Sequence, residues 1–257
     1  VQSLAPHVLA GLGRTHSPEV AVGALAAAKR AGASNLNADL IYGSQWESQR
    51  DWVRSVEGVV AAEPEHISAY ALTVEEGTPL ATLVATGRLL DVDPDVQAER
   101  YELADAILTP AGYHRYEISN WALPGRASRH NVLYWAAGDY VGFGAGAHSH
   151  LSGRRSWALR LPRDFVAAVA AGAPTEAGHE ILDLQTRWSE AMVLGLRLTS
   201  GIDLVGLTAR FGERAVEETL DRLTECLSAG LVELNGDRVR LTSRGVLFHS
   251  EVARALL

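Results

Sequence analysis

The fold class predicted for this 257-residue sequence is α/β, followed by a small helical domain. Three observations carry the prediction. Between Leu36 and Leu72 the chain reads strand, helix, strand, the pattern of a parallel βαβ unit. Beyond about Glu180 the pattern changes to three helices and a hairpin. The composition, 47% hydrophobic and 21% charged, is that of a globular chain with a buried core.

Each element has a local reason. Ser17-Pro18-Glu19 starts a helix with a hydroxyl cap, a proline in the first turn and an acid beside the helix N-terminus, and Gly32 ends it. Leu36–Ile41 reads as a short buried strand closed by Tyr42-Gly43. The stretch from Glu47 to Ala62 spaces Trp52, Val53, Val56, Val59 and Val60 as a helix does. His66–Leu72 is a second strand, Asp93-Pro94 opens a helix running to Ala111-Gly112, and Arg115–Ile118 is a further strand. In the last third, Trp188–Leu198, Leu204–Phe211 and Ala215–Ala229 read as helices. Leu231–Leu234 and Arg238–Leu241 form a hairpin about Asn235-Gly236-Asp237, and a last helix starts near Thr242 or Ser243. The predicted domains are 1–175 and 176–257.

Composition excludes several classes. No run approaches the eighteen apolar residues of a spanning helix. The net charge of −8 opposes nonspecific polyphosphate binding. Three helices before a hairpin resemble a winged helix, yet residues 213–257 carry eight acids against six arginines, the wrong sign for tracking phosphates. No nucleic-acid partner is expected. One cysteine, Cys226, makes neither a disulfide framework nor a thiolate metal site, which leaves open a cluster held elsewhere. Val1 at the start and a sole methionine at Met192 predict an incomplete chain.

Parallel β/α layouts place ligands at the C-terminal ends of their strands. Asp39, inside an otherwise apolar strand, is therefore a candidate: either it binds a ligand or it pairs locally. His130-Asn131-x-x-Tyr134-Trp135 sets an imidazole beside large rings. This suits a flat macrocycle with a ligatable metal, or equally a packed loop with one satisfied histidine. Gly142-x-Gly144-x-Gly146 lacks the following helix and the acid of a dinucleotide fingerprint, so close approach of the backbone to a ligand or strand explains it better. His148 and His150 share a strand face, but two histidines without a third donor make no zinc site.

Eight segments, in order, carry a resemblance: Val1-Gln2-Ser3, Leu12-Gly13-Arg14-x-His16, Asp39-Leu40-Ile41-Tyr42-Gly43, Ser68-Ala69-Tyr70-Ala71-Leu72, Tyr116-Glu117-Ile118-Ser119-Asn120, Arg129-His130-Asn131, Tyr134-Trp135 and Gly142-x-Gly144-x-Gly146-Ala147-His148-Ser149. Together they resemble the oxygen-independent coproporphyrinogen III oxidase-like radical SAM family over nearly the whole chain. The resemblance implies the C-terminal part of a partly open β/α barrel, followed by a small winged-helix-like domain. It further implies that the intact protein holds a [4Fe-4S] cluster and S-adenosylmethionine (SAM), the latter contacted by Gln2, Arg14 and Asp39. The His130 segment matches the haem-chaperone branch, with His130 in contact with haem. Asn131, Tyr134, Trp135, Gly142, Gly144, Gly146 and His148 support that motif.

The implied function is cytoplasmic haem binding and delivery to a respiratory haem protein, with peripheral membrane association left open. Oxidative decarboxylation of coproporphyrinogen III is the alternative, and a cluster-free interaction module a second. Two features depart from the family. The C-x-x-x-C-x-x-C cluster motif is not in these residues, so its ligands are expected N-terminal to them. Ser44-Gln45-Trp46-Glu47 also replaces the usual Pro-Gly after Tyr42-Gly43.

Overall fold

The computed structural model describes residues 1–257, which divide into two compact units, Val1–Ser128 and Arg129–Leu257. That packing boundary is distinct from the family-based division after residue 175.

The first unit runs α1 (Pro6–Gly11), α2 (Pro18–Arg30), β1 (Asn37–Tyr42), α3 (Gln49–Ala61), β2 (His66–Ala71), α4 (Pro79–Ala85), α5 (Pro94–Leu108), β3 (His114–Glu117) and β4 (Asn120–Ala122). Its sheet has the order β1-β2-β4-β3. β1 and β2 are parallel, with Asp39 opposite Ser68 and Asn37 opposite His66. β4 is antiparallel to both β2 and β3, so the sheet is mixed. The three-residue β4 has too short a pattern to be read from sequence, yet its Trp121 is fully buried.

Alternation assigns the two faces of this sheet. Ala38, Leu40, Ile67, Ala69 and Trp121 are buried on one, beside the buried Trp52, Val56 and Val59 of α3 and Tyr101, Ala104 and Leu108 of α5. Both indoles keep a partner: Trp52 donates to the Arg100 carbonyl at 2.7 Å and Trp121 to Asp105 at 2.8 Å. The cap of α2 is Ser17, which accepts from the Val20 amide. α3 starts two residues later than the expected Glu47, because Ser48 and Asp51 form a reciprocal capping box. Glu47 instead turns back to accept from the Gly43 amide at 3.1 Å.

The second unit contains α6 (Arg129–Trp135), β5 (His148–Leu151), β6 (Arg154–Ala158), α7 (Pro162–Ala170), β7 (Glu176–Ile181), α8 (Leu184–Gly195), β8 (Ile202–Asp203), α9 (Leu204–Phe211), α10 (Glu213–Arg222), α11 (Thr224–Ser228), β9 (Val232–Asn235), β10 (Arg238–Leu241), α12 (Ser243–Leu247) and α13 (His249–Leu256). β5, β6 and β7 form an antiparallel sheet in that order. The helix expected over Ala215–Ala229 is two, α10 and α11, broken at the fully buried Leu223. The expected hairpin is β9–β10, and β8 adds a third strand against β10. Trp188, Met192, Leu196, Leu207, Leu223, Val239 and Val252 build the core of this part.

Candidate functional site

The face of the β1-β2-β4-β3 sheet opposite the helices is polar. Asn37 and Asp39 on β1 stand beside His66 and Ser68 on β2, and Asn120 of β4 lies across from Ser68. Asp39 is half-buried, and its Oδ1 accepts from Asn37 Nδ2 at 2.7 Å. His66, buried, hydrogen-bonds through Nδ1 to Asn37 Oδ1 at 2.7 Å and through Nε2 to the Tyr116 hydroxyl at 2.8 Å. Burial holds the His66 imidazole below its ordinary pKa, with the Asp39 charge acting the other way, so the ring is neutral at pH 7. Glu117, also buried, accepts from the Ser119 amide at 2.8 Å and from the Asn120 side chain.

Gln2 is added to the free edge of β1. Its amide donates to the Asp39 carbonyl at 2.7 Å, its carbonyl accepts from Ile41 at 2.9 Å, and its φ is +62°. Arg14 follows α1, anchored by its amide on the Leu9 carbonyl at 2.8 Å, with its side chain exposed. Residue 1 lies within electrostatic reach of both Asp39 and Arg14. Gln2, Asp39 and Arg14, far apart in sequence, are thus gathered about residues 1 and 2. They offer an amide, a carboxylate and a guanidinium, the donor set that a zwitterionic nucleoside amino acid requires. A [4Fe-4S] cluster finds no such fit, since the one thiol, Cys226, is buried in the core of the second unit. Sequence reasoning passed over Asn37 and His66. The polar i, i+2 alternation on β1 and β2 was the available sign.

His130 and Tyr134 lie one turn apart on α6, and their rings meet edge-on at 4.8 Å. Tyr134 continues to Tyr140 at 4.5 Å, and Tyr140 to His150 at 6.2 Å. Burial raises the Tyr140 hydroxyl pKa. His130 is exposed, with its imidazole against the Tyr134 ring. Asn131 is half-buried and engaged by other groups. Trp135 lies under the Arg197 guanidinium at 4.3 Å and lines a cleft with Met192, Ile202 and Phe211.

In the glycine run, a Cβ on Gly142 would come within 2.2 Å of the His148 carbonyl, so close approach to β5 explains that glycine. Gly144 and Gly146 have φ of +101° and +70°. His148, exposed, contacts the Gly146 carbonyl at 3.1 Å. No three His, Cys, Asp or Glu side chains gather as a metal site among the described residues.

Comparison with known proteins decides the family. Residues 182–248 match the family described as the HemN C-terminal domain. A Mycobacterium tuberculosis protein named heme chaperone HemW is 43% identical over 257 residues, covering 100% of this chain and 64% of that protein. The Bacillus subtilis protein of the same name is 31% identical, with 100% of this chain and 68% of that protein covered. The chain belongs to the HemW family. Its members are longer, since the chain spans 64% of the mycobacterial HemW. A mitochondrial relative from Bos taurus, named radical S-adenosyl methionine domain-containing protein 1, is 36% identical over 76% of this chain and 41% of that protein. Among solved structures, coproporphyrinogen III oxidase (HemN) from Escherichia coli, a radical SAM enzyme, matches with a TM-score of 0.78 at 17% identity. That match covers 100% of this chain and 62% of the HemN chain. The expected α/β fold of HemN type is therefore present, with sheets that do not close.

Proposed function

We propose that the intact protein is a haem chaperone of radical SAM descent, which takes up haem and passes it to a respiratory haem protein. The observation that carries this reading is 43% identity along the whole chain to a protein named heme chaperone HemW. In this reading residues 1–175 are the C-terminal part of the barrel and its following segment, and 176–257 are the C-terminal domain. SAM is held by Asp39, Gln2 and Arg14: the carboxylate takes ribose hydroxyls or the ammonium, the guanidinium the ligand carboxylate, and the amide a polar edge. Cluster ligands come from outside these residues, because Cys226 is the one cysteine here. His130 contacts haem iron, with the Tyr134 ring beside it.

In this reading the protein acts in the cytoplasm and can associate peripherally with membranes. No helix is long and apolar enough to cross a bilayer.

Titration of haem into the intact protein and its His130→Ala variant, followed at the Soret band, tests the reading. Saturable binding is expected, weakened about tenfold or more in the variant, a loss of ~1.4 kcal/mol. Equal binding by both moves the haem contact away from His130. Absence of binding by either overturns the chaperone reading in favour of the porphyrinogen oxidase that the sequence resemblance gives as the alternative. Anaerobic product analysis then becomes decisive.

A further inference from the structure

The Asp39 carboxylate can only accept hydrogen bonds, and this one fact orders a chain of side chains behind it. Because Asn37 lies 2.7 Å from Asp39 Oδ1, it must present its NH2 group there, which turns its Oδ1 the other way. That oxygen receives two donors, His66 Nδ1 at 2.7 Å and the Ser68 hydroxyl at 3.3 Å. His66 therefore carries its proton on Nδ1, so Nε2 is an acceptor. The Tyr116 hydroxyl at 2.8 Å must then donate to it. The Tyr116 oxygen in turn accepts from the Ser128 amide at 3.3 Å. Every link has one polarity. Rotating the Asn37 amide by half a turn would set its oxygen against the carboxylate and break the sequence at its first step.

Four elements are tied together by this path: β1 supplies Asn37 and Asp39, β2 supplies His66 and Ser68, β3 supplies Tyr116, and the segment after β4 supplies Ser128. Asp39 Oδ1 is thereby occupied, whereas Oδ2 makes no hydrogen bond among these residues. We propose that Asn37, His66 and Tyr116 are positioning residues that hold the Asp39 carboxylate with Oδ2 presented to the hydroxyl or ammonium donors of its ligand. The inference rests on the reading of Asp39 as a SAM contact.

Two measurements on the intact, reconstituted protein test it: the Kd for SAM by equilibrium dialysis, and the His66 tautomer by 15N NMR. In the unaltered protein His66 is expected in the Nδ1–H form. Asn37→Ala should raise the Kd about five- to tenfold and move His66 toward the Nε2–H form, in which it donates to Tyr116. Tyr116→Phe, which keeps the ring, should raise the Kd about two- to fivefold and leave a tautomer mixture. Asp39→Asn serves as the control for the underlying reading and should abolish measurable binding.

If Asp39→Asn abolishes binding while both positioning variants bind SAM as the parent does, the positioning role is overturned and the SAM reading stands. If Asp39→Asn binds SAM normally, the SAM reading itself fails. An unchanged tautomer in Asn37→Ala also overturns the proposal. Should that variant not fold, Tyr116→Phe decides by the same two readouts.

Discussion

The two larger sheets of the molecule are held in opposite ways. In the β1-β2-β4-β3 sheet, Leu40, Ile67 and Trp121 are fully buried on the helix side, and Asn37, Asp39, His66 and Ser68 stand on the other face. In the β5-β6-β7 sheet no hydrophobic side chain is buried, and from Leu123 to Arg187 only Gly153 is. Ion pairs stand there instead: Arg154–Glu176 at 2.6 Å, Arg155–Glu180 at 2.9 Å and Arg155–Glu190 at 2.5 Å. The difference teaches where each candidate ligand contact finds its rigidity. Asp39 is carried on a strand with a packed back, while His130 belongs to a stretch with little core of its own. Low-stability segments are where binding elements that must move are drawn from.

The comparison breaks most visibly at Trp121. Trp121→Ala should cost about 3–5 kcal/mol, the range for a fully buried aromatic, read as a lowered denaturation midpoint of the first unit. A loss below ~1 kcal/mol would mean that the helices do not depend on this face.

The next largest effect concerns Glu47, whose side chain is buried with Oε1 lacking a partner and Arg100 Nε at 3.9 Å. Burial pushes its pKa from 4.5 up to about 7, against the Gly43 amide and Arg100, which favour the charged form. The folded protein thus holds a proton that the unfolded chain releases. The stability that this gives is full below pH 4.5 and is lost as pH rises through about 7. Glu47→Gln should therefore gain up to about 3 kcal/mol over the parent at pH 8 and nothing at pH 4. Urea denaturation at the two pH values checks this, and an equal effect at both refutes the assignment.

The smallest effect sharpens the other side. Arg155→Ala, which removes contacts to Glu180 and Glu190, should cost about 1 kcal/mol or less, and the difference should shrink in high salt because these groups are partly exposed. Denaturation with and without 1 M NaCl checks it. Amide exchange makes the same comparison without mutation: β1 and β2 should be protected well beyond β5–β7.

How much of this was legible in the sequence follows from the range of the forces involved. β1, α3, β2 and the β9–β10 hairpin announce themselves, because period, caps and turn residues act within a few positions. Asp39 announces itself too, as a charge in an apolar strand. The polar chain behind it does not. Asn37 and His66 are 29 positions apart and His66 and Tyr116 are 50, so their meeting depends on the register of strands that no local pattern sets. β4 escapes for a different reason: three residues cannot display an alternation, although the fully buried Trp121 depends on it. His130 is the reverse case, recognisable by motif, yet placed on a short helix that its own sequence does little to stabilise.

Lys29, the single lysine of the chain, donates from the end of α2 to the carbonyls of Ala62 and Glu63 at 3.0 and 2.5 Å. An acylating reagent therefore meets one ε-amine in these residues, and must compete with two carbonyls for it. Its rate of modification becomes a one-site clock for the opening of the α2–α3 junction. A lysine-specific protease reads the same event, cutting once after residue 29 and parting α1 and α2 from every strand of the sheet.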